Sequence, residues 1–123
     1  MTNCVIEDAI SDVDGTAVFI RGDSSAVIDS WIIRNNDGSD GGGPAVTINT
    51  VSPGFSTIRD CQILGNRSDF LAGGIHGYNS PVRIEGCVVR GNFGLDGAGI
   101  YVRTGATLIN NTVQGNITGF SGR

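Results

Sequence analysis

The sequence predicts an all-β chain wound into a parallel β-solenoid of about four to five stacked coils, three short strands to each coil, with little or no helix. Three observations lead there. One nine-residue pattern recurs along the whole chain; two further short apolar runs follow every copy in the same order; and no stretch shows the sustained 3.6-residue apolar period of an amphipathic helix.

The recurring pattern reads IDSWIIRNN ending at Asn36, IRDCQILGN at Asn66, IEGCVVRGN at Asn92 and LINNTVQGN at Asn116. NCVIEDA is an earlier copy, with Ala9 in the place of the asparagine. Successive end positions differ by 27, 30, 26 and 24 residues. That interval suits one solenoid coil whose loops absorb the variation. A second strand is introduced by small residues in GTAVFI, GPAVTI, AGGIHG and GAGIYV, and a third follows a polar turn in AVI, STI, VRI and ATL. Each run is too short to be stable alone, so stacking must supply the missing partners.

A side-chain period of two sends neighbouring residues to opposite faces. The inward rows are expected to be Ile6, Ile33, Ile63, Val89 and Val113; Val18, Val46, Ile75 and Ile100; and Ile28, Ile58, Ile84 and Leu108. Like stacks on like in every row. Few aromatic residues are present, so Val, Ile, Ala and Cys must fill the narrow interior.

Composition removes several functions. A formal charge of −4, eight dispersed arginines and no lysine argue against a nucleic-acid partner. No apolar window is long enough for a membrane span, and the opening MTNCVIED lacks the basic start and apolar core of a secretory signal. Three cysteines are too few and too odd in number for a disulfide framework.

The recurring apolar pair, the Gly-Asn that follows it and the later GGI or GAGIYV resemble the right-handed parallel β-helix superfamily, the pectate-lyase-like fold, and within it the right-handed β-helix repeat proteins. The resemblance covers nearly the whole chain and implies a right-handed parallel β-helix over residues 1–123 as a single segment. It implies fold more than function, because members range from polysaccharide lyases and hydrolases to adhesins. The clustered Asp residues of such hydrolases and the marked basic residue of such lyases have no counterpart here, and GGIHGYN departs from the hydrolases' histidine motif.

Four sets of residues are candidates for a role. Asn36, Asn66, Asn92 and Asn116 are expected to line up at one corner as a ladder, in left-handed turns, each amide bonding to those above and below. His76, Tyr78, Tyr101 and Arg103, with Phe19, Thr47, Arg21 and Asn49, are expected on the outer face of the second strand, where sugars could stack; ordinary strand composition would look the same. Asp37 and Asp40, with Asp12, Asp14, Asp69 and Asp96 in comparable loops, could supply oxygens to a cation such as calcium, although the spacing fits no known calcium loop and solvated turns account for them as well. Cys61 and Cys87, with Cys4 and Trp31 at the equivalent place, read as buried packing residues; the spacing also admits a Cys61–Cys87 disulfide, although side chains stacked in parallel seldom present the dihedral that bond requires. The glycosylation-like triplets at Asn66, Asn110 and Asn116, and the run Arg21-Gly22-Asp23, read as coincidences of turn composition.

A last set concerns association. Val5, Ile32, Gln62, Val88 and Thr112 form an outward row that is apolar for a solvated face, and a solenoid's ends expose unpaired strands. The chain is therefore expected to be a fragment of a longer solenoid or to be capped by oligomerisation, as a homo-oligomer. The leading expectation is a non-enzymatic structural or adhesive module of a bacterial secreted or cell-surface protein, requiring no cofactor; the alternative is a remnant of a polysaccharide lyase or hydrolase, or a carbohydrate-binding β-helix.

Overall fold

A computed structural model describes residues 4–10, 17–22, 25–38, 43–50, 55–69, 72–78, 81–95, 98–102 and 105–118. Among them there is no helix. Every strand pair is parallel, and each strand's partner belongs to the neighbouring coil.

Four sheets run along the stack. The first orders β1 (Val5–Glu7), β4 (Ile32–Arg34), β8 (Gln62–Leu64), β12 (Val88–Arg90) and β16 (Thr112–Gln114). The second orders β2 (Val18–Gly22), β6 (Val46–Thr50), β10 (Ile75–Tyr78) and β14 (Ile100–Val102). The third orders β3 (Val27–Asp29), β7 (Ser56–Arg59), β11 (Val82–Glu85) and β15 (Thr107–Ile109). A fourth, of two-residue strands just beyond the asparagine corner, holds β5 (Asp37–Gly38), β9 (Arg67–Ser68), β13 (Phe93–Gly94) and β17 (Ile117–Thr118). The sequence pattern gives the first three sheets and not this one, because two residues are too few to show an alternation.

The registers align the rows expected to face inward. Ile33 lies over Ile6 and under Ile63, and Val89 and Val113 continue the row. Val18, Val46, Ile75 and Ile100 are stacked in the second sheet, and Ile28, Ile58, Ile84 and Leu108 in the third. Coils covered from both sides bury these side chains completely: Ile33, Ile63, Val89, Ile58 and Ile84 are all 0% exposed. Where a neighbour is present on one side alone, Leu108 and Val113 stay about half exposed. The core is thus a shared property of adjacent coils, and each fully buried Ile contributes roughly 1.5–3 kcal/mol relative to an exposed one.

Ile63→Ala should lower the urea-unfolding free energy by about 2–5 kcal/mol, since coils on both sides prevent collapse onto the cavity. Val113→Ala, half exposed at the last coil, should lower it by markedly less. Equal losses would contradict an interior shared between coils.

Candidate functional site

The most organised polar feature is the corner between the first and fourth sheets. Residues Asp8, Asn35, Gly65, Gly91 and Gly115 adopt positive φ, between 56° and 67°, and the chain turns there. The left-handed residue is therefore the one before each corner asparagine. This corrects the expectation that Asn36, Asn66, Asn92 and Asn116 occupy that conformation themselves, and it explains why Gly recurs ahead of them.

The turn leaves a backbone N–H and a nearby carbonyl pointing into the stack, away from the strand ladders. Side chains of the next coil satisfy them. Asn66 Oδ1 accepts from Asn36 N–H at 3.0 Å and Asn36 Nδ2 at 2.9 Å, while Asn66 Nδ2 donates to Ile33 O at 3.0 Å and to Asn92 Oδ1 at 3.0 Å. Asn92 repeats the set: it accepts from Asn66 N–H and Nδ2 and donates to Ile63 O and Asn116 Oδ1, at 2.9–3.0 Å. Asn36 serves Ala9 N–H and Ile6 O, and Asn116 serves Asn92 N–H and Val89 O. Both amide hydrogens and both carbonyl lone pairs of Asn66 and Asn92 are used, which lets them be buried at 1% and 0% exposure.

A second corner, between the third and first sheets, works the same way with other residues. Ser30, Asp60, Gly86 and Asn110 have positive φ, so the turn accepts Ser, Asp and Asn as well as glycine, and a Cβ on Gly86 would require the Asp60 carboxylate, 2.5 Å away, to shift. Trp31, Cys61, Cys87 and Asn111 follow these residues in one column. Cys61 Sγ lies 3.5 Å from Ile28 O and accepts from Trp31 N–H at 3.5 Å; Cys87 Sγ lies 3.6 Å from Ile58 O. In the next coil Asn111 fills the same place with an amide, donating to Ile84 O at 2.8 Å and accepting from Cys87 N–H at 2.9 Å. Asn111 is absent from the candidates above, although its alignment with Cys61 and Cys87 in LINNTVQGN is the signal that reveals it. The thiols are free; Cys61 and Cys87 are buried, and contact with Cys61 together with burial pushes the Cys87 thiol upward, so Cys87 stays protonated at neutral pH, while the same contact draws the Cys61 thiol downward.

The outer face of the second sheet differs from expectation. Phe19, Thr47, His76 and Tyr101 do share a column, but Thr47 is 2% and His76 4% exposed, so no open flat surface runs through them. Alternation fixes which way a side chain leaves its strand and is silent about whether loops pack over it. His76 and Tyr101 meet edge to face, centroids 5.4 Å apart at 77°. Arg103 lies outside the described residues, as does the side chain of Tyr78, while Arg21 is exposed.

Asp37 is exposed in β5, and Asp12, Asp14, Asp40 and Asp96 lie outside the described residues. Among the described residues no three His, Cys, Asp or Glu side chains gather as they would around a metal ion. The charged residues instead pair with one another: Arg34 with Glu7 at 2.7 Å and Arg59 with Asp29 at 2.9 Å across coils, and Arg83 with Glu85 at 2.9 Å along one strand. Arg67 adds a cation–π contact with Phe93 in the next coil, 4.9 Å from the ring centre. On the first sheet, Val5 and Gln62 are exposed and Ile32 and Val88 half-buried, one above another.

Among the described residues no helix is long and apolar enough to cross a membrane. A family model described as "Right handed beta helix region" matches residues 1–121. No curated protein and no solved structure matches the chain.

Two predictions follow from the corner and the walls. Asn66→Ala strands the Asn36 N–H and the Ile33 carbonyl, and at about 1–3 kcal/mol per unsatisfied buried group it should cost at least about 2 kcal/mol in chemical denaturation; a loss within error would show that water replaces the amide freely. The hydrogen bond from Arg59 holds the Asp29 carboxyl below its ordinary 3.8, with the Ser30 hydroxyl adding to it. A depressed carboxyl stabilises the fold above its unfolded value and ceases to as pH falls through the folded one. The Tm difference between wild type and Arg59→Ala should therefore be constant at neutral pH and shrink below 3.8.

Proposed function

The chain belongs to the right-handed β-helix family, and we propose that it serves as a non-enzymatic structural or adhesive module of a larger secreted or cell-surface protein, contacting copies of itself through the first sheet. The observation that carries this reading is where the polar chemistry goes. The corner amides and six charged side chains, those of Glu7, Arg34, Asp29, Arg59, Arg83 and Glu85, are committed to bonds between or along coils, so they build the solenoid and are not held in reserve around a cleft. What the first sheet offers outward is the row Val5, Ile32, Gln62, Val88 and Thr112, apolar at three places of five and continuous because its strands are in strict register. A continuous row of this kind suits a like surface better than a small ligand, which needs concavity.

Carbohydrate recognition is the second reading, and one observation favours it: the His76–Tyr101 ring pair on adjacent strands of the second sheet. The burial of His76 leaves Tyr101 as the ring best placed to meet a sugar.

Light scattering at micromolar concentration should give a mass above that of one chain, and Val88→Arg should return it to one chain with an unchanged Tm. A wild-type mass of one chain would overturn self-association. Binding or turnover of pectin or alginate that is lost in Tyr101→Ala would transfer the reading to carbohydrate.

A further inference from the structure

The column Cys4, Trp31, Cys61, Cys87 and Asn111 is continuous along one corner: Ile32 N–H donates to Cys4 O, Gln62 N–H to Trp31 O, Val88 N–H to Cys61 O and Thr112 N–H to Cys87 O, at 2.8–2.9 Å. Two thiols therefore occupy one place in consecutive coils. Cys61 and Cys87 are each 1% exposed and their thiols leave the two coils in the same way: Cys61 Sγ donates to Arg59 O at 3.1 Å and lies 3.5 Å from Ile28 O, and Cys87 Sγ donates to Glu85 O at 3.4 Å and lies 3.6 Å from Ile58 O. Cys4 is two coils away from Cys61, with the Trp31 residue between them in the column. The pair is isolated from the third cysteine and from water.

Parallel stacking sets how such a pair can react. Side chains that leave successive coils in the same direction start about 4.8 Å apart. A disulfide requires sulfurs about 2 Å apart, Cβ atoms within roughly 3.5–4.5 Å and a dihedral near a right angle, and in-register parallel side chains meet those terms poorly. Two metal–sulfur bonds of roughly 2.3 Å laid end to end span about 4.6 Å, which is close to the coil spacing. The corner thus fits one ion between two sulfurs better than it fits a sulfur–sulfur bond. Soft thiolates select soft cations, and a site with two ligands suits an ion content with linear coordination, whereas zinc in a structural site takes four.

We propose that Cys61 and Cys87 form a two-coordinate site for a soft d10 cation, held linearly between adjacent coils. Loading breaks two S–H bonds, forms two metal–sulfur bonds and releases two protons to solvent, with no change of oxidation state. With a divalent ion such as mercury(II) the product is neutral, and neutrality matters because a net charge in this buried corner would be costly. Trp31 N–H, 3.5 Å from Cys61 Sγ, already directs a dipole at one of the two sulfurs. Bridging the coils would also tie the third coil to the fourth, so the ion should raise stability through mass action.

Mercury(II) chloride, added to the whole chain and followed by native mass spectrometry, tests the site. The expected adduct carries one mercury and lacks two protons, forms equally in wild type and Cys4→Ala, and raises Tm. In Cys61→Ala and in Cys87→Ala the two-proton adduct and the rise in Tm should both vanish. Far-ultraviolet circular dichroism establishes that each variant still folds, and Cys61→Ser with Cys87→Ser stand in for either alanine variant that does not. Four outcomes would overturn the proposal: a two-proton adduct that survives loss of Cys61 or Cys87; an adduct that needs Cys4; zinc chloride binding as tightly as mercury; or ready formation of a Cys61–Cys87 disulfide by diamide, which would show that the sulfurs close to bonding distance.

Discussion

The structure depends on a problem of hydrogen bonding at corners. A coil that turns sharply must take a residue into the left-handed region, and the turn swings an N–H and a carbonyl out of the sheet ladders and into a space from which water is excluded. Nothing within the same coil can reach them. The carboxamide of the next coil can, and Asn66 and Asn92 each do so with every donor and acceptor they possess. Coils are consequently joined by side chains as well as by strands, in a fixed direction: each asparagine serves the coil that precedes it.

That coupling explains why short strands suffice. Strands of two to five residues would be unstable as isolated pairs, yet here each inner strand has cover above and below, and inward side chains of the three main sheets lie against apolar neighbours in the same row. Apolar stacking fills the interior, amides close one corner, and thiols with one further amide close another. The ion pairs on the outer walls are exposed on at least one side and add little. The core and the corners hold the molecule together, which leaves the outer faces free to vary without disturbing it.

Much of this was legible in the sequence, for a physical reason: in a solenoid, residues one period apart are neighbours, so the repeat is itself the contact map. The period alone places Ile6, Ile33, Ile63, Val89 and Val113 in one row. What escaped was what one period does not encode. The left-handed place fell one residue earlier than Asn36 and its equivalents, because alignment identifies a turn and not the backbone angles within it. Asn111 was hidden by the cysteines at its place in other coils, since its role is defined by geometry and not by residue type. His76 was expected on an open face and is buried, as strand alternation distinguishes inside from outside of the coil and takes no account of what else lies against the outside.

The spacing between the two closed corners has a consequence for how such a chain can change. Trp31 to Asn36, Cys61 to Asn66, Cys87 to Asn92 and Asn111 to Asn116 are each five residues apart, while whole coils vary by as much as six. One short segment acts as a ruler and the remainder as slack. Length can be gained or lost in the glycine-rich stretches without altering the pitch of the stack, whereas a single insertion inside the ruler would throw both corners out of phase with every coil beside it. Natural variation and protein engineering alike have one side of this molecule on which to write and one on which they cannot.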